Sequence, residues 1–172
     1  MSFDPILHAP GLIQFHIATA VFALFTGPFV ILRRRRDRLH KYLGYSWFFA
    51  MCGVAISALF IPSFGIAIIG HLGPIHGLAI LTLLSLGQGM MAIWRKDIVA
   101  HERTLASLYW TGLAVAGLIN FLPGRRINEA IFGGATEPGY AIIIVGGLLL
   151  FWFRVARHWF QPQNPQDDGI PS

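Results

Sequence analysis

The sequence predicts an all-α integral membrane protein whose helices cross the bilayer five times. Composition is the first reason, because 55% of the 172 residues are hydrophobic and only 12% are charged, which leaves too little charge to cover a soluble surface. The second reason is the length of the apolar segments, since a helix needs roughly 20 residues to cross the hydrocarbon core. The third is the clustering of basic residues in short loops, which is typical of membrane orientation. The net charge of +5 therefore indicates topology, and no nucleic-acid partner is expected.

Five segments reach this length, and only helices are expected there because lipid cannot satisfy open backbone groups. We expect residues 1–160 to form a single transmembrane domain. The segment Pro62–Gly73 is apolar but interrupted by Pro and Gly, which predicts a loop at the membrane interface. The tail 161–172 is predicted to be disordered and cytoplasmic. The predicted spans are Gly11–Leu32, His40–Ile61, Pro74–Trp94, His101–Leu122 and Tyr140–Phe160.

The charges that flank the spans predict the orientation. Asp4 is the only formal charge before the first span, whereas a run of arginines follows that span, and this order is the reverse of a cleavable signal peptide. We expect a bacterial inner (cytoplasmic) membrane, with the N-terminus outside and the C-terminus in the cytoplasm. Arg125 and Arg126 fall outside against this bias and suggest a local role, such as binding an acidic partner or cofactor. The cations expected on the cytoplasmic side run from Arg33 to Lys41 and include Arg95, Lys96, Arg103, Arg154 and Arg157.

The first four predicted spans form an internal repeat, whose copies are about 60 residues apart. One inserted residue in a loop explains why the shift changes from 60 to 61. Each copy holds two spans, so both copies have the same orientation and are related by a pseudo-two-fold axis along the membrane normal. We therefore expect a four-helix bundle made of residues 11–62 and 74–123, with the fifth helix (140–160) on its flank. The matches at a shift of 60 include His16 with His76 and Gly27 with Gly87, and those at 61 include His40 with His101 and Pro62 with Pro123.

The four repeated histidines are the candidate functional residues. His16 and His76 are expected near the outer ends of the first and third spans, and His40 and His101 at the cytoplasmic starts of the second and fourth. Two imidazoles opposed across a bundle supply both axial ligands of a haem iron. At 1.5 Å per residue the two layers lie roughly 20–25 Å apart. The sequence therefore predicts two b-type haems, held by His16 with His76 and by His40 with His101, that carry electrons across the membrane.

Two alternatives stay open at this level. A histidine near a helix end is commonly structural and would also repeat on duplication, in which case the chain is an accessory or assembly subunit of a larger membrane complex. The weaker alternative is a metal-ion or small-molecule carrier that uses His8 and His71 with the outer pair. No carboxylate lies in the interior of a span, and no phosphate-binding, hydrolase or zinc-protease motif is present. These absences argue against proton-coupled transport and hydrolysis.

The chain resembles a family of small bacterial membrane proteins that is catalogued as a domain of unknown function. The resemblance covers about Gly11 to Gly134 and lends no activity, because none is established for the family. The usual His-Arg pair of the family is replaced here by His40-Lys41 and His101-Glu102, so no role of that arginine is carried over. The matching features are His16 followed by Gly27-Pro28, the arginine-rich loop into His40 with Gly44, His101-Glu102-Arg103, and Leu122-Pro123-Gly124-Arg125.

The layout of the histidines is also similar to that of the di-haem cytochrome b561 proteins, which pass electrons across membranes to or from quinone, ascorbate or ferric iron. This likeness is architectural, since it rests on two opposed histidine pairs from four helices. It implies an oxidoreductase of that type, with a quinone or a larger membrane complex as partner.

Overall fold

The regular structure is helical throughout the residues that a computed structural model describes, which are 4–33, 35–62, 73–133 and 135–159. This confirms the all-α prediction. The predicted interfacial loop, with His71, lies almost entirely outside the described residues, as does the tail 161–172. The helices are α1 (Asp4–Leu7), α2 (Gly11–Ile31), α3 (Arg38–Phe60), α4 (Pro74–Trp94), α5 (Ile98–Ser107), a π-helical segment (Leu108–Leu113), α6 (Ala114–Ile119), α7 (Arg126–Phe132) and α8 (Thr136–Trp159).

Three of the described helices are long and apolar enough to cross a membrane: α2, α3 and Ile75–Trp94 within α4. Their bounds lie within two residues of the predicted spans. Helix α7 and the first part of α8 form a pair bent by 114°, which counts as a fourth span at most. Large apolar side chains on these helices are exposed, as a protein solvated by lipid requires. On α2 the most exposed of them are Phe15, Phe22, Phe25 and Phe29.

The fourth predicted span is an unbroken run of three segments, α5, the π-helical segment and α6, from Ile98 to Ile119. It begins three residues before the predicted start, because Asp97 caps α5 by accepting a hydrogen bond from the N–H of Ala100 at 2.9 Å. Each segment alone is shorter than a span. The apolar pattern predicts a regular α-helix here and does not reveal the π-helical turn.

The helices pack in chain order and close into a ring. Helix α2 packs along α3, α3 along α4 and α4 along α5, and α2 returns against the π-helical segment and α5. Helix α2 therefore lies opposite α4, and α3 lies opposite α5. Helix α8 packs on α6 and α7 instead. Gly146 of α8 lies against Leu118 of α6, where an added Cβ would be 2.5 Å from Leu118 Cδ2.

A proline inside α2 organises the centre of the ring. Pro28 has no N–H, so the carbonyl of Leu24, four residues earlier, loses its helical partner. The hydroxyl of Tyr109 in the π-helical segment donates to that carbonyl at 2.9 Å. The tyrosine ring reaches it by lying against Gly27, since an added Cβ there would be 2.3 Å from Tyr109 Cε2. Gly27 therefore provides the space for the Tyr109 ring, and Pro28 leaves open the carbonyl to which its hydroxyl donates.

The buried core surrounds this contact. Trp47 of α3 is 1% exposed and donates from Nε1 to the carbonyl of Ala23 at 3.1 Å. The ring of Tyr109 meets that of Trp110 edge to face, with centroids 4.8 Å apart. The core thus lies midway along the helices, between the ends at which the repeated histidines stand. Its other buried members are Val30, Ala50, Met51, Leu86, Leu108 and Leu113.

A buried asparagine ties the chain between α6 and α8. The side chain of Asn128 in α7 donates from Nδ2 to the carbonyls of Phe121 (2.9 Å) and Ala135 (3.3 Å). Gly139 leaves room for this contact, because an added Cβ would be 2.3 Å from the Phe121 oxygen. Helix α7 ends at Gly133, whose φ of 62° suits glycine. The short helices α1 and α7, which the apolar pattern does not predict, pack on each other at this end.

The hydroxyl of Tyr109 is expected to stabilise the fold because Pro28 leaves the Leu24 carbonyl open. Tyr109→Phe removes the donor and is expected to lower the free energy of unfolding by about 1–2 kcal/mol. Pro28→Ala supplies the missing N–H, so the same tyrosine substitution in that background is expected to cost less than half as much. Unfolding in mixed micelles with increasing SDS measures this double-mutant cycle. If Tyr109→Phe lowered the free energy of unfolding equally in the wild-type and Pro28→Ala chains, the open Leu24 carbonyl would not be the reason that the hydroxyl stabilises the fold.

Gly27 and Gly87, which the repeat aligns, are expected to respond oppositely to alanine. Gly27→Ala places a methyl group inside the Tyr109 contact, and overpacking of this kind costs about 1–3 kcal/mol. At Gly87 nothing lies within 4 Å of an added Cβ, so Gly87→Ala is expected to be neutral or to stabilise by up to ~1 kcal/mol. Melting temperatures of the two purified variants in one detergent make the comparison. Equal stability of the two would contradict the central packing.

Candidate functional site

The inner candidate pair, His40 and His101, stands in the first turns of α3 and α5. Both helices are capped by an aspartate, and Asp37 accepts from the N–H of His40 at 3.0 Å. The capping residues Asp37 and Asp97 are 60 residues apart (97 − 37 = 60), whereas the histidines are 61 apart (101 − 40 = 61). The extra residue of the second copy therefore lies in the first turn of α5. The interpretation that placed it in a loop is corrected by this capping geometry.

The imidazole of His101 is fixed by the neighbouring helix. Its Nδ1 lies 2.8 Å from the carbonyl oxygen of Gly89 in α4. A carbonyl only accepts, so Nδ1 carries the proton and donates it, and the neutral ring keeps its lone pair on Nε2. A backbone carbonyl holds the rings of metal-binding histidines in this way. Glycine at 89 also lets α5 approach, because an added Cβ would be 2.6 Å from Leu105 Cδ2.

The imidazole of His40 has no bond at Nδ1 like the one that fixes His101, within the described residues. It stands on α3, which lies opposite α5 and His101 in the ring. Its Nδ1 is buried, and no hydrogen bond reaches that nitrogen within the described residues. An unsatisfied buried nitrogen of this kind costs about 1–3 kcal/mol. Such a group in a native structure calls for a specific explanation, and a bound cofactor is one.

The outer candidate His16 is tied to the adjacent helix of its own copy. Its Nδ1 lies 2.9 Å from the hydroxyl oxygen of Ser57 in α3. The same hydroxyl oxygen lies 2.6 Å from the carbonyl oxygen of Gly53 and 3.0 Å from that of Val54, and its one proton satisfies these carbonyls when Nδ1 of His16 donates to it. The tautomer that satisfies all three contacts has the proton on Nδ1 and the lone pair on Nε2. This is the same tautomer as that of His101.

His76, the second outer candidate, has the opposite arrangement. It is 3% exposed, and its Nδ1 accepts a hydrogen bond from the N–H of Gly73 at 3.1 Å, which caps the start of α4. The lone pair of Nδ1 is thus engaged, and the proton of the neutral ring lies on Nε2. His76 can bind a metal through Nε2 only if Nε2 loses that proton or the imidazole ring flips by about 180°.

The inner pair therefore fits haem better than the outer pair does. His40 and His101 stand on helices that lie opposite each other in the ring. One presents a lone pair held in place by a carbonyl, and the other has a buried nitrogen with no hydrogen bond in the described structure. The lone pair on Nε2 of His101 is the state that an axial ligand of a haem iron needs. In the outer pair, the capping bond of His76 competes with that role.

The space beside Gly27 is used for packing and not for a flat cofactor. The ring of Tyr109 fills it, which agrees with the common use of small residues for helix contact in membranes. Gly44, four residues after His40, is less crowded, since the nearest atom to an added Cβ is Val30 Cγ1 at 3.9 Å. A side chain at position 44 would therefore make only an ordinary van der Waals contact there.

Within the described ranges, no group of three or more His, Cys, Asp or Glu side chains is placed to hold a metal ion. Catalytic zinc takes three protein ligands and structural zinc takes four, whereas haem iron needs only two axial ligands. His8 is exposed beside Asp4, with 3.9 Å between Nε2 and Oδ1. His71 lies outside the described residues.

Two ion pairs hold the arginine-rich loop beside the inner histidines. Arg33 Nε donates to Asp37 Oδ1 at 3.1 Å. Arg36 Nη2 donates to Glu102 Oε1 at 2.6 Å, which joins the loop of the first copy to the helix start of the second. The Arg33 guanidinium and the N–H of His40 hold the pKa of the Asp37 carboxyl at about 2. Glu102 directly follows His101 in the sequence, and Asp37 precedes His40 by three residues.

Sequence reasoning missed the residues that orient the imidazoles and fill the centre. A signal for Tyr109 is present, because a proline inside an apolar helix leaves a carbonyl that a donor elsewhere must satisfy in lipid. No pattern marks Ser57 or Gly89, since their contacts depend on how each helix is rotated about its axis.

Comparison with known families supports the membrane assignment. Residues 13–153 match the family described as "Predicted membrane protein (DUF2306)". The chain belongs to this family. The match confirms the resemblance to an uncharacterised membrane family and extends beyond the expected end at Gly134 into most of α8. Neither a search of the curated proteins nor a search of the solved structures found a match.

The carboxyl of Asp37 is expected to titrate well below an ordinary aspartate. Hydrogen bonds from Arg33 and from the N–H of His40 lower its pKa to about 2. The folded pKa is below the unfolded value of about 3.9, so the stabilisation is fully present above that value and is lost as the pH falls toward 2. Carbon-detected NMR of the labelled protein in micelles measures the midpoint. Arg33→Ala is expected to raise it, and a wild-type midpoint at the ordinary value would contradict this ion pair.

Proposed function

We propose that this protein transfers electrons across the membrane on b-type haem held between its paired histidines, with His40 and His101 as the principal site. Bound haem supplies one-electron redox chemistry, and the chain supplies two imidazoles, their orientation and an apolar surrounding. The state of the inner pair carries the proposal. His101 presents a lone pair that its bond to Gly89 holds in place, and His40 has a buried nitrogen with no hydrogen bond in the described structure.

The proposal includes five spans and a duplicated bundle. The ring order supports this arrangement, because a rotation that exchanges α2 with α4 also exchanges α3 with α5. The run from Ile98 to Ile119 is then the fourth span and α8 the fifth. The cations around the inner pair favour the cytoplasmic side of a bacterial inner membrane, with the N-terminus outside. Arg125 and Arg126, at the start of α7, stay on the outer side.

A second haem is assigned to the outer pair, His16 and His76. The symmetry of the repeat and the tautomer of His16 support it, whereas the bond from Gly73 to His76 must first be released. One haem at each end of the core gives electrons a path across the bilayer. A quinone or a larger membrane complex is the proposed partner.

The second candidate function is that of an accessory subunit of a larger membrane complex. The Tyr109 ring that fills the space beside Gly27 favours it, because the repeated glycine then serves helix contact. In that case the histidines stabilise helix ends, as the bond between Gly73 and His76 does.

The absorption spectrum of the purified chain tests the proposed function. After expression with a haem precursor, we expect a Soret band and a pyridine haemochrome that reports two b haems per chain. His40→Ala and His101→Ala are each expected to remove one haem, because one axial ligand is lost. His16→Ala and His76→Ala are expected to remove the other.

His8→Ala is the matched control, since His8 is exposed and stands outside the four repeated positions; the haem content should not change. A folded, monodisperse chain without a Soret band would contradict the proposal, as would wild-type haem content in the His40 and His101 variants. A wild-type chain with one haem, which is lost in the His40 and His101 variants and kept in the His16 and His76 variants, would support the inner site and contradict the outer one.

A further inference from the structure

A groove of about 270 Å³ opens on the side of α4 and α5 near the connection between them. Its wall contains the apolar side chains of Met91 and Ala92. Its polar residues are Gln88, Arg95, Asp97 and Thr104. The volume is just below the range of roughly 300–1,000 Å³ for small-molecule pockets, so the groove suits a headgroup rather than a whole large ligand.

Within the described residues the amide of Gln88 has no hydrogen-bond partner, although it lies in an apolar span. Gln88 lies in the apolar span Ile75–Trp94 and is exposed on its outer side. It precedes Arg95, the residue that ends α4, by seven positions, or about 10 Å of helix. No hydrogen bond is made by this amide within the described part of the chain. An unsatisfied amide in hydrocarbon is unfavourable, so a bound group that accepts hydrogen bonds stabilises it.

The mouth of the groove is cationic. Arg95 is exposed and forms no ion pair within the described ranges, and Lys96 follows it in the connection. The carboxylate of Asp97 is already engaged, because it accepts from the N–H of Ala100 at the start of α5. From mouth to interior the groove therefore offers a cation, then an apolar wall and then an amide donor. Its complement is an amphiphile with an anion outermost and a carbonyl acceptor deeper in.

We propose that this groove binds the headgroup of an anionic phospholipid, with the phosphate at Arg95 and an ester carbonyl accepting from the Gln88 amide. The acyl chains then continue along the exposed face of α4, where Ile80, Leu81 and Leu84 are each more than half exposed. The first copy of the repeat has Pro28 in place of Gln88, so only the second copy carries the amide donor. The site is independent of haem.

Native mass spectrometry of the delipidated full chain, titrated with phosphatidylglycerol, tests the site. We expect one tightly retained lipid per chain. Arg95→Ala and Gln88→Leu are each expected to weaken this binding at least fivefold, because each removes one of the two polar contacts. Arg35→Ala is the matched control, since Arg35 aligns with Arg95 in the repeat and is also exposed. It should change the affinity less than twofold.

Three outcomes would overturn the proposal. Equal weakening by Arg35→Ala and Arg95→Ala would show diffuse attraction to the charged loops. Displacement of the lipid by inorganic phosphate at tenfold excess would show a plain anion site. Equal retention of a neutral diacylglycerol would show that the phosphate is not recognised. The elution volume and melting temperature of each variant must match those of the wild type, so that a loss of binding reports the site and not the fold.

Discussion

The carbonyl that Pro28 leaves open constrains the rest of the structure. In hydrocarbon that oxygen needs a donor, and the hydroxyl of Tyr109 supplies it from the fourth helical run. The Tyr109 ring can lie this close to α2 only because residue 27 is glycine. Tyr109 is the second residue of the π-helical segment. Turns of this type are frequent at functional sites. Because His101 lies eight residues before Tyr109 in the same run, the contact that satisfies α2 also sets the rotation and height of an inner candidate ligand.

The repeat in the sequence is inexact, and its two halves differ at residues that the structure places in contacts between helices. Tyr109 aligns with Phe48, which has no hydroxyl, so the donor occurs in one copy only. Gly89, whose carbonyl holds His101, aligns with Phe29. His40 correspondingly has no such bond at Nδ1 within the described residues. The two inner histidines therefore differ in their surroundings, since His101 is bonded to the carbonyl of Gly89 and Nδ1 of His40 has no hydrogen bond within the described residues.

Much of the fold follows from the sequence, and the limits of prediction have physical causes. Hydrophobic length locates α2, α3 and α4 to within two residues, because the thickness of the bilayer fixes how long an apolar helix is. The same criterion does not reveal the π-helical turn or the bonds of the histidine side chains, which depend on contacts between helices. The opposite tautomers of His16 and His76 arise from Ser57 and from a backbone N–H. No residue pattern encodes either of them, so the sequence treats the two outer histidines as equivalent.

The central claim is that His40 and His101 are the two axial ligands of one haem iron. Electron paramagnetic resonance of the oxidised, purified protein tests this most directly, because it reports the ligands on the iron itself. The account predicts a low-spin, six-coordinate ferric signal of the kind that two imidazoles produce, and the loss in the His101→Ala chain of the part of that signal that the inner haem contributes. A wild-type sample with only high-spin iron, or a low-spin signal that persists unchanged in that variant, would contradict it.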